Sequence, residues 1–185
     1  MVAFAEPLQS ERLILRPYRL SDLDDVQAFQ ADPEVVRYLY WEVRTREQSQ
    51  TWLDAMIAVD RLDNDNDGVT LAVERREDGT VIGSVNVWLR SKEHRQGEIG
   101  FVFVGSEQRK GYATEAMTAL LDAVFPLLDL HRVYGSTDAR NTASAALMRR
   151  LGMREEAHFR ENEMFKGAWG DTLIFAILRA EWESR

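Results

Sequence analysis

Apolar residues along this chain follow two periods, and the change from one period to the other marks out its elements. Short β-branched or alternating runs predict strands at Leu13–Arg16, stopped by Pro17, and at Val69–Arg75, Val81–Leu89, Glu98–Val104 and Arg132–Thr137. A last strand pair is predicted at Met153–Phe159 and Asp171–Arg179, joined by a loop from Arg160 to Gly170. Asp78-Gly79 is a hairpin signal between the second and third runs. A charged loop, Arg90 to Gln96, precedes the fourth. Three- and four-residue steps predict helices. Leu23, Val26 and Phe29 follow the N-cap pair Ser21-Asp22, and Asp32-Pro33-Glu34 opens a short helical turn. Thr45–Leu62 carries Trp52, Leu53, Met56 and Val59 on one face. A fourth helix runs from Gly111 to about Leu128, and Asn141–Leu151 is closed by Gly152.

The chain is organised around Gly97–Glu115. Here an apolar strand passes through a polar turn, Gly105–Lys110, directly into a helix whose stripe is Ala113, Ala116, Met117, Leu120, Leu121 and Val124. The first helical turn has N–H groups without intrahelical partners, at the positive end of the dipole, so the backbone suits a phosphate-like anion. Gly111 has no Cβ to hold a ligand away. The turn is not a P-loop, and Gly-x-Gly-x-x-Gly is missing.

Composition narrows the choice. With 185 residues, 45% apolar and 10% aromatic, the chain is read as one globular domain over residues 1–185. It has no cysteine, which excludes disulfides, thiolate metal sites and a cysteine nucleophile. A net charge of −8 argues against wrapping nucleic acid and is compatible with a cationic amine. Neither a signal peptide nor a membrane span is expected, and the expected setting is cytoplasmic, as a monomer or homodimer. Asp63-Asn64-Asp65-Asn66-Asp67-Gly68 with Glu74 matches the calcium-loop pattern Asp-x-Asp-x-Asp-Gly-x5-Glu. A strand over Val69–Glu74 would carry Glu74 roughly 20 Å from Gly68, so a solvated acidic turn is expected instead. His94, His131 and His158 lack metal spacing, and no metal is expected.

Gln108-Arg109-Lys110-Gly111-Tyr112-Ala113 resembles the pyrophosphate loop of the GNAT acyltransferase superfamily. Asp138-Ala-Arg-Asn141-Thr-Ala-Ser144, leading to Leu151-Gly152-Met153, resembles that superfamily's Asn-x-x-Ser…Gly-Phe helix. Ser10–Pro17, Asp32-Pro-Glu-Val, Tyr38-Leu, Trp169-x-Asp171 and Glu181-Trp182 look like its RimJ/RimL-like branch. The resemblance covers essentially the whole chain. It implies an α/β (α+β) fold with a central mixed, mostly antiparallel sheet of six to seven strands, splayed at the cofactor site, and helices on both faces. It implies direct acetyl transfer from acetyl-CoA to an amine, on a small molecule or a peptide N-terminus. No nucleophile stands at a recognisable spacing from a base, which agrees with direct transfer.

The resemblance also distributes roles. Backbone N–H groups from Arg109 to Thr114, with Gln108, Arg109, Lys110, Gly111, Tyr112 and Ala113, are expected on the pyrophosphate. The pantetheine arm is expected to pair with the Phe101-Val102-Phe103 backbone, the Phe103 N–H facing the thioester oxygen. Asn141 is expected on the pantetheine amides and Ser144 near the thiolate. Helix capping is the alternative for Asn141, and an ordinary small surface residue for Ser144. Arg150, with Arg149, is a candidate for the adenosine phosphates or a solvated helix end. Glu98 is the candidate base, or else a structural carboxylate paired to a basic group. Glu163 and His158 are the weaker candidates. Tyr38, Trp41 and Trp88 are candidate walls of the acceptor cleft, with Glu161 and Glu163 as holders of a cationic acceptor. One departure stands out: many relatives carry a tyrosine acid seven residues after the asparagine, and this chain has Met148. A catalytically weak acyl-CoA-binding module is therefore the second reading.

Overall fold

The computed structural model describes residue 4, residues 6–59 and residues 61–185. Eight strands form one sheet: β1 (Leu8–Gln9), β2 (Leu13–Arg16), β3 (Gly68–Arg75), β4 (Val81–Ser91), β5 (Gln96–Phe103), β6 (Arg132–Asp138), β7 (Arg154–Phe165) and β8 (Ala168–Leu178). Their order is β1-β2-β3-β4-β5-β6-β8-β7. All neighbours are antiparallel except β5 and β6, which run parallel. The helices are α1 (Leu23–Gln30), α2 (Pro33–Val36), α3 (Arg46–Ala58), α4 (Tyr112–Leu127), α5 (Thr142–Arg150) and α6 (Arg179–Glu183).

Alternation decides which residues face which layer. Leu13, Leu15, Leu71, Val73, Val85, Val87, Ile99 and Val133 share one buried cluster with Met117, Leu120 and Leu121 of α4 and Leu147 of α5. On the other face Ala72 and Val81 pack with Val26 and Phe29 of α1 and Leu53 of α3. Local chemistry sets the helix starts. Thr45 and Gln48 form a reciprocal capping box on α3, and the Asp32 carboxylate accepts the Glu34 N–H ahead of Pro33. Where β2 leads toward α1, the buried Arg16 guanidinium donates to Asp22 at 2.7 and 2.9 Å and to Glu74 at 2.5 Å.

Several expectations need correction. The sheet has eight strands, not six or seven, because the two-residue β1 adds an edge. The predicted 160–170 loop is mostly strand: β7 and β8 continue to a turn at Lys166-Gly167, where both residues have positive φ (48° and 82°). A bulge between Phe159 and Glu163 interrupts the pairing, and Asp171 holds it by accepting the Glu161 N–H at 2.9 Å. The long helix ends at Ala58, not Leu62. Strands replace both ends of the predicted 90–96 loop. In the acidic turn, Asp67 accepts the backbone N–H groups of Asp63 and Asn64, while Glu74 turns to Arg16.

Candidate active site

The parallel junction in the sheet is short. β5 and β6 pair at Gln96↔Arg132, Gly97↔Val133 and Glu98↔Tyr134, and the pairing stops there. Beyond Glu98 the two strands part. Val104 N–H donates to Ile82 O of β4 at 3.0 Å, so by alternation the N–H groups of Phe101 and Phe103 point away from β4 into the parting. The Phe103 carbonyl points the same way and accepts Gln108 Nε2 at 3.2 Å. A strand edge without a partner offers donors and acceptors to an extended ligand.

Past β5 the chain turns into α4. Gly111 caps this helix with φ +88°, a backbone state costly for any residue with a Cβ, and a Cβ built there would sit 3.3 Å from Arg12 Nη2. Arg109, also at positive φ (63°), is exposed and has no ion pair among the described residues. Lys110 is tied to Glu107 at 3.0 Å. Arg150 reaches across from α5 and donates to Thr114 Oγ1 at 3.3 Å. The Arg150 guanidinium and a free helix N-terminus thus meet at Gly111–Thr114, with the exposed Arg109 two residues before Gly111, a fit for a pyrophosphate. Arg12 holds the turn from behind: it donates to Lys110 O at 3.2 Å, lies over the Tyr112 ring at 4.5 Å and pairs with Glu115 at 2.7 Å.

At the foot of the parting, Glu98 is surrounded by donors. Arg90 Nε lies 2.7 Å from Glu98 Oε2, the Tyr134 hydroxyl 3.2 Å from the same oxygen, and the Ser136 hydroxyl 3.4 Å from Oε1. Trp88 is the cross-strand partner of Glu98 on the same face, with Arg90 stacked on its ring at 5.1 Å. The Tyr134 pKa is raised, first by burial and then by the adjacent Glu98 charge. On the α5 side, Ser144 N–H donates to Asn141 Oδ1 at 3.1 Å, so the capping role of Asn141 is realised and its Nδ2 stays available. Met148 is buried, and its sulfur would lie 3.0 Å from a Cβ on Gly135, in the strand that parts from β5.

A second acidic group lies on β7. Glu163 of β7 accepts the Tyr40 hydroxyl at 3.0 Å and the Thr172 hydroxyl at 3.2 Å. Although the Tyr40 ring is largely exposed, its pKa rises to about 12 through desolvation of the hydroxyl, the bond to Glu163 and the nearby charges of Glu163, Glu98 and Asp138. Tyr38 is half-buried near Arg140. Trp41 does not join this group through its ring, which packs against Arg44 in the helical layer. Its carbonyl accepts Lys166 Nζ at 3.1 Å and so ties this segment to the β7–β8 turn. His158 is paired to Asp171 at 2.7 Å at the bulge. Sequence reasoning missed Tyr134, Ser136 and Arg90 around Glu98, and Tyr40 beside Glu163. The parity of β6 against Glu98 would have shown the first two only with the parallel register known. Among the described residues no group of three or more His, Asp or Glu is placed to hold a metal, and no helix is long and apolar enough to cross a membrane.

A sheet parted at one parallel junction, with a helix N-terminus at the mouth of the parting, defines an acyltransferase of the GNAT class. Comparison with known proteins agrees: residues 12–154 match the family model described as an acetyltransferase (GNAT) domain, and the chain belongs to that family. It is 32% identical to the uncharacterized N-acetyltransferase YnaD of Bacillus subtilis (strain 168) over 175 residues, 95% of this chain and 98% of that one. The crystal structure of a GNAT-family acetyltransferase from Bacillus anthracis superimposes with a TM-score of 0.85 at 27% identity, over 95% of this chain and 100% of that one. The spermidine N-acetyltransferase of Vibrio cholerae, solved in complex with CoA and spermine, shares the fold with a TM-score of 0.78 at 23% identity, over 94% and 99% of the two chains. The protein is an acetyltransferase.

Proposed function

We propose that this acetyltransferase moves an acetyl group from acetyl-CoA directly to a primary amine, carried on a cationic small molecule or a protein N-terminus. The observation that carries this reading is the end of β5–β6 pairing at Glu98↔Tyr134, which leaves the Phe101 and Phe103 N–H groups free beside a charged carboxylate. Acetyl-CoA supplies the acyl group as a thioester. The turn at Gly111–Thr114, with Arg109 and Arg150, is suited to its phosphates, and the Phe101–Phe103 edge to its amides. In this reading the Phe103 N–H stabilises negative charge on the carbonyl oxygen. Glu98 takes the proton that the amine must lose, while Arg90 and Ser136 fix its orientation. Tyr134 fills the donor role that Met148 cannot, since its hydroxyl stands at the foot of the parting with its proton firmly held at neutral pH. Ser144, a residue of α5 without a side-chain hydrogen bond among the described residues, is the second donor on the other side. Glu163, Tyr40 and Trp88 line the acceptor side, and the carboxylates there favour a cationic acceptor. Supporting that class, the Vibrio cholerae fold relative is named for spermidine and was solved with spermine. The RimJ/RimL-like kinship of Ser10–Pro17 keeps protein N-termini within the same proposal.

The test is an acceptor screen of the full chain with acetyl-CoA, read by release of free CoA thiol. Turnover on at least one primary amine, above acetyl-CoA hydrolysis, is expected. Saturable CoA binding with no amine-dependent thiol release across polyamines, amino acids and peptides would overturn the proposal in favour of a binding module.

A further inference from the structure

Seven buried side-chain nitrogen and oxygen atoms lack a hydrogen-bond partner among the described residues, and six of them fall between residues 27 and 49. They are Gln27 Oε1, Gln30 Nε2 and Oε1, Trp41 Nε1, Arg44 Nη1 and Ser49 Oγ. The backbone brings them to one corner, where the end of α1, the Trp41–Thr45 segment and the first turns of α3 meet. Arg44 N–H donates to Gln30 O at 3.1 Å, and Gln27 Nε2 donates to Arg44 O at 3.1 Å. Gln30 and Ser49 are both fully buried. A buried polar atom left unpaired is costly, so a cluster of six calls for partners. Water or a small ligand can meet them where the chain does not.

The chemistry of the corner says which. Four of the six, Arg44 Nη1, Trp41 Nε1, Gln30 Nε2 and Ser49 Oγ, can donate, and one carries a full positive charge; the other two, Gln27 Oε1 and Gln30 Oε1, are acceptors left to water. Arg44 has no carboxylate partner among the described residues. The acidic groups nearest in sequence are engaged elsewhere: Glu42 with Lys166, Asp24 with Arg46, and Glu47 with Thr45. The Trp41 and Trp52 rings lie 4.9 and 5.7 Å from the guanidinium carbon and stabilise the cation, but a ring face leaves the N–H groups in the guanidinium plane unmet. Burial also disfavours the charged form of Arg44, and among the described residues no carboxylate offsets it.

We infer that this corner is a binding site for a small monovalent anion, of halide or formate size, held by Arg44 Nη1, Trp41 Nε1, Gln30 and Ser49. Water alone would satisfy the donors without balancing the charge. The site belongs to the helical layer and does not depend on acetyl transfer. Its occupancy would order the Trp41–Thr45 segment, which Lys166 ties to the β7–β8 turn through the Trp41 carbonyl.

The test uses the full chain at constant ionic strength, exchanging sodium gluconate for chloride, bromide or formate. The small anions should raise the melting temperature by roughly 3–8 °C, saturably, as expected for a ligand that binds only the folded state. Iodide should quench a fraction of tryptophan emission saturably, in competition with chloride. Trp41→Phe keeps the ring and loses the Nε1 donor, and should weaken anion affinity about tenfold. Arg44→Gln should abolish the saturable quenching, and its emission is readable even if the variant melts lower. A bromide-soaked crystal should show an anomalous peak within hydrogen-bond distance of Arg44 Nη1. Ordered water only at that position, with only linear iodide quenching in the parent chain, would overturn the inference.

Discussion

Glu115 gives the most direct quantitative test of how the turn into α4, the proposed anion site, is built. It lies in the first turn of α4, where a carboxylate favours the helix dipole, and it anchors the N-terminal edge of the sheet. Its oxygens accept from the Ser10 hydroxyl, the Arg12 N–H and Arg12 Nε, each at 2.7 Å. The Glu115 side chain is 16% exposed and that of Arg12 43%, so the guanidinium pair is discounted to about 0.5 kcal/mol as a surface ion pair. The backbone and hydroxyl bonds to a mostly buried carboxylate contribute about 1 kcal/mol each, and the dipole about 0.5 kcal/mol. Against these, alanine gains a few tenths in helix propensity. Glu115→Ala should therefore destabilise the fold by about 2–3 kcal/mol, or roughly 5–10 °C in melting temperature for a chain of this length. The effect has a pH signature. Burial pushes the Glu115 pKa up, but the bonds from Arg12 and Ser10 outweigh it and hold the folded value below the ordinary 4.5. A depressed carboxylate stabilises fully above its unfolded pKa and loses that contribution as pH falls through the folded value. The gap between parent and variant should be full at pH 7 and close progressively below about pH 4. Thermal melts monitored by circular dichroism across that range measure it. A gap under about 1 °C at pH 7, or one that persists undiminished in acid, would refute the reasoning.

Other substitutions test the site and the core. Tyr134→Phe should lower kcat at least about tenfold and leave the KM for acetyl-CoA within about twofold; steady-state kinetics would discard the donor role if kcat held. Glu98→Gln should lower kcat roughly a hundredfold without weakening CoA binding by calorimetry, and unchanged turnover would end its assignment as base. Gly111→Val forces a β-branched residue to φ +88° against Arg12, so CoA affinity should fall at least about tenfold and stability by about 1–2 kcal/mol. Arg16→Met leaves Asp22 and Glu74 as partly or wholly buried carboxylates without their shared cation, and should cost about 3–5 kcal/mol in urea unfolding.

The sequence pattern showed most of the fold because each central strand carries apolar residues that bury on at least one face. It failed where that signal is absent. β7 is exposed along nearly its whole length, so the pattern predicts strand over its first half only and a loop over residues 160–165; its pairing with β8 there is held by backbone and turn geometry. β1 is too short to have a pattern. The strand–turn–helix at Gly105–Thr114 was legible because it is local: one continuous stretch whose geometry is carried by backbone and a single glycine. The surroundings of Glu98 were not, because Tyr134 and Ser136 reach it only through a parallel register between strands separated by a whole helix. The loss of the usual tyrosine at Met148 was visible in the sequence, whereas the proposal of Tyr134 as the donor in its place required the register.

The brief β5–β6 seam has a mechanical consequence. Two leaves of sheet, one ending at β5 and the other beginning at β6, are stitched across only three residue pairs. An extended cofactor lodged between them, as proposed, would act as mortar, closing a course of masonry that the chain leaves open. The enzyme should therefore be most easily pried apart between turnovers, and proteases should find it more vulnerable when acetyl-CoA is scarce than when it is plentiful.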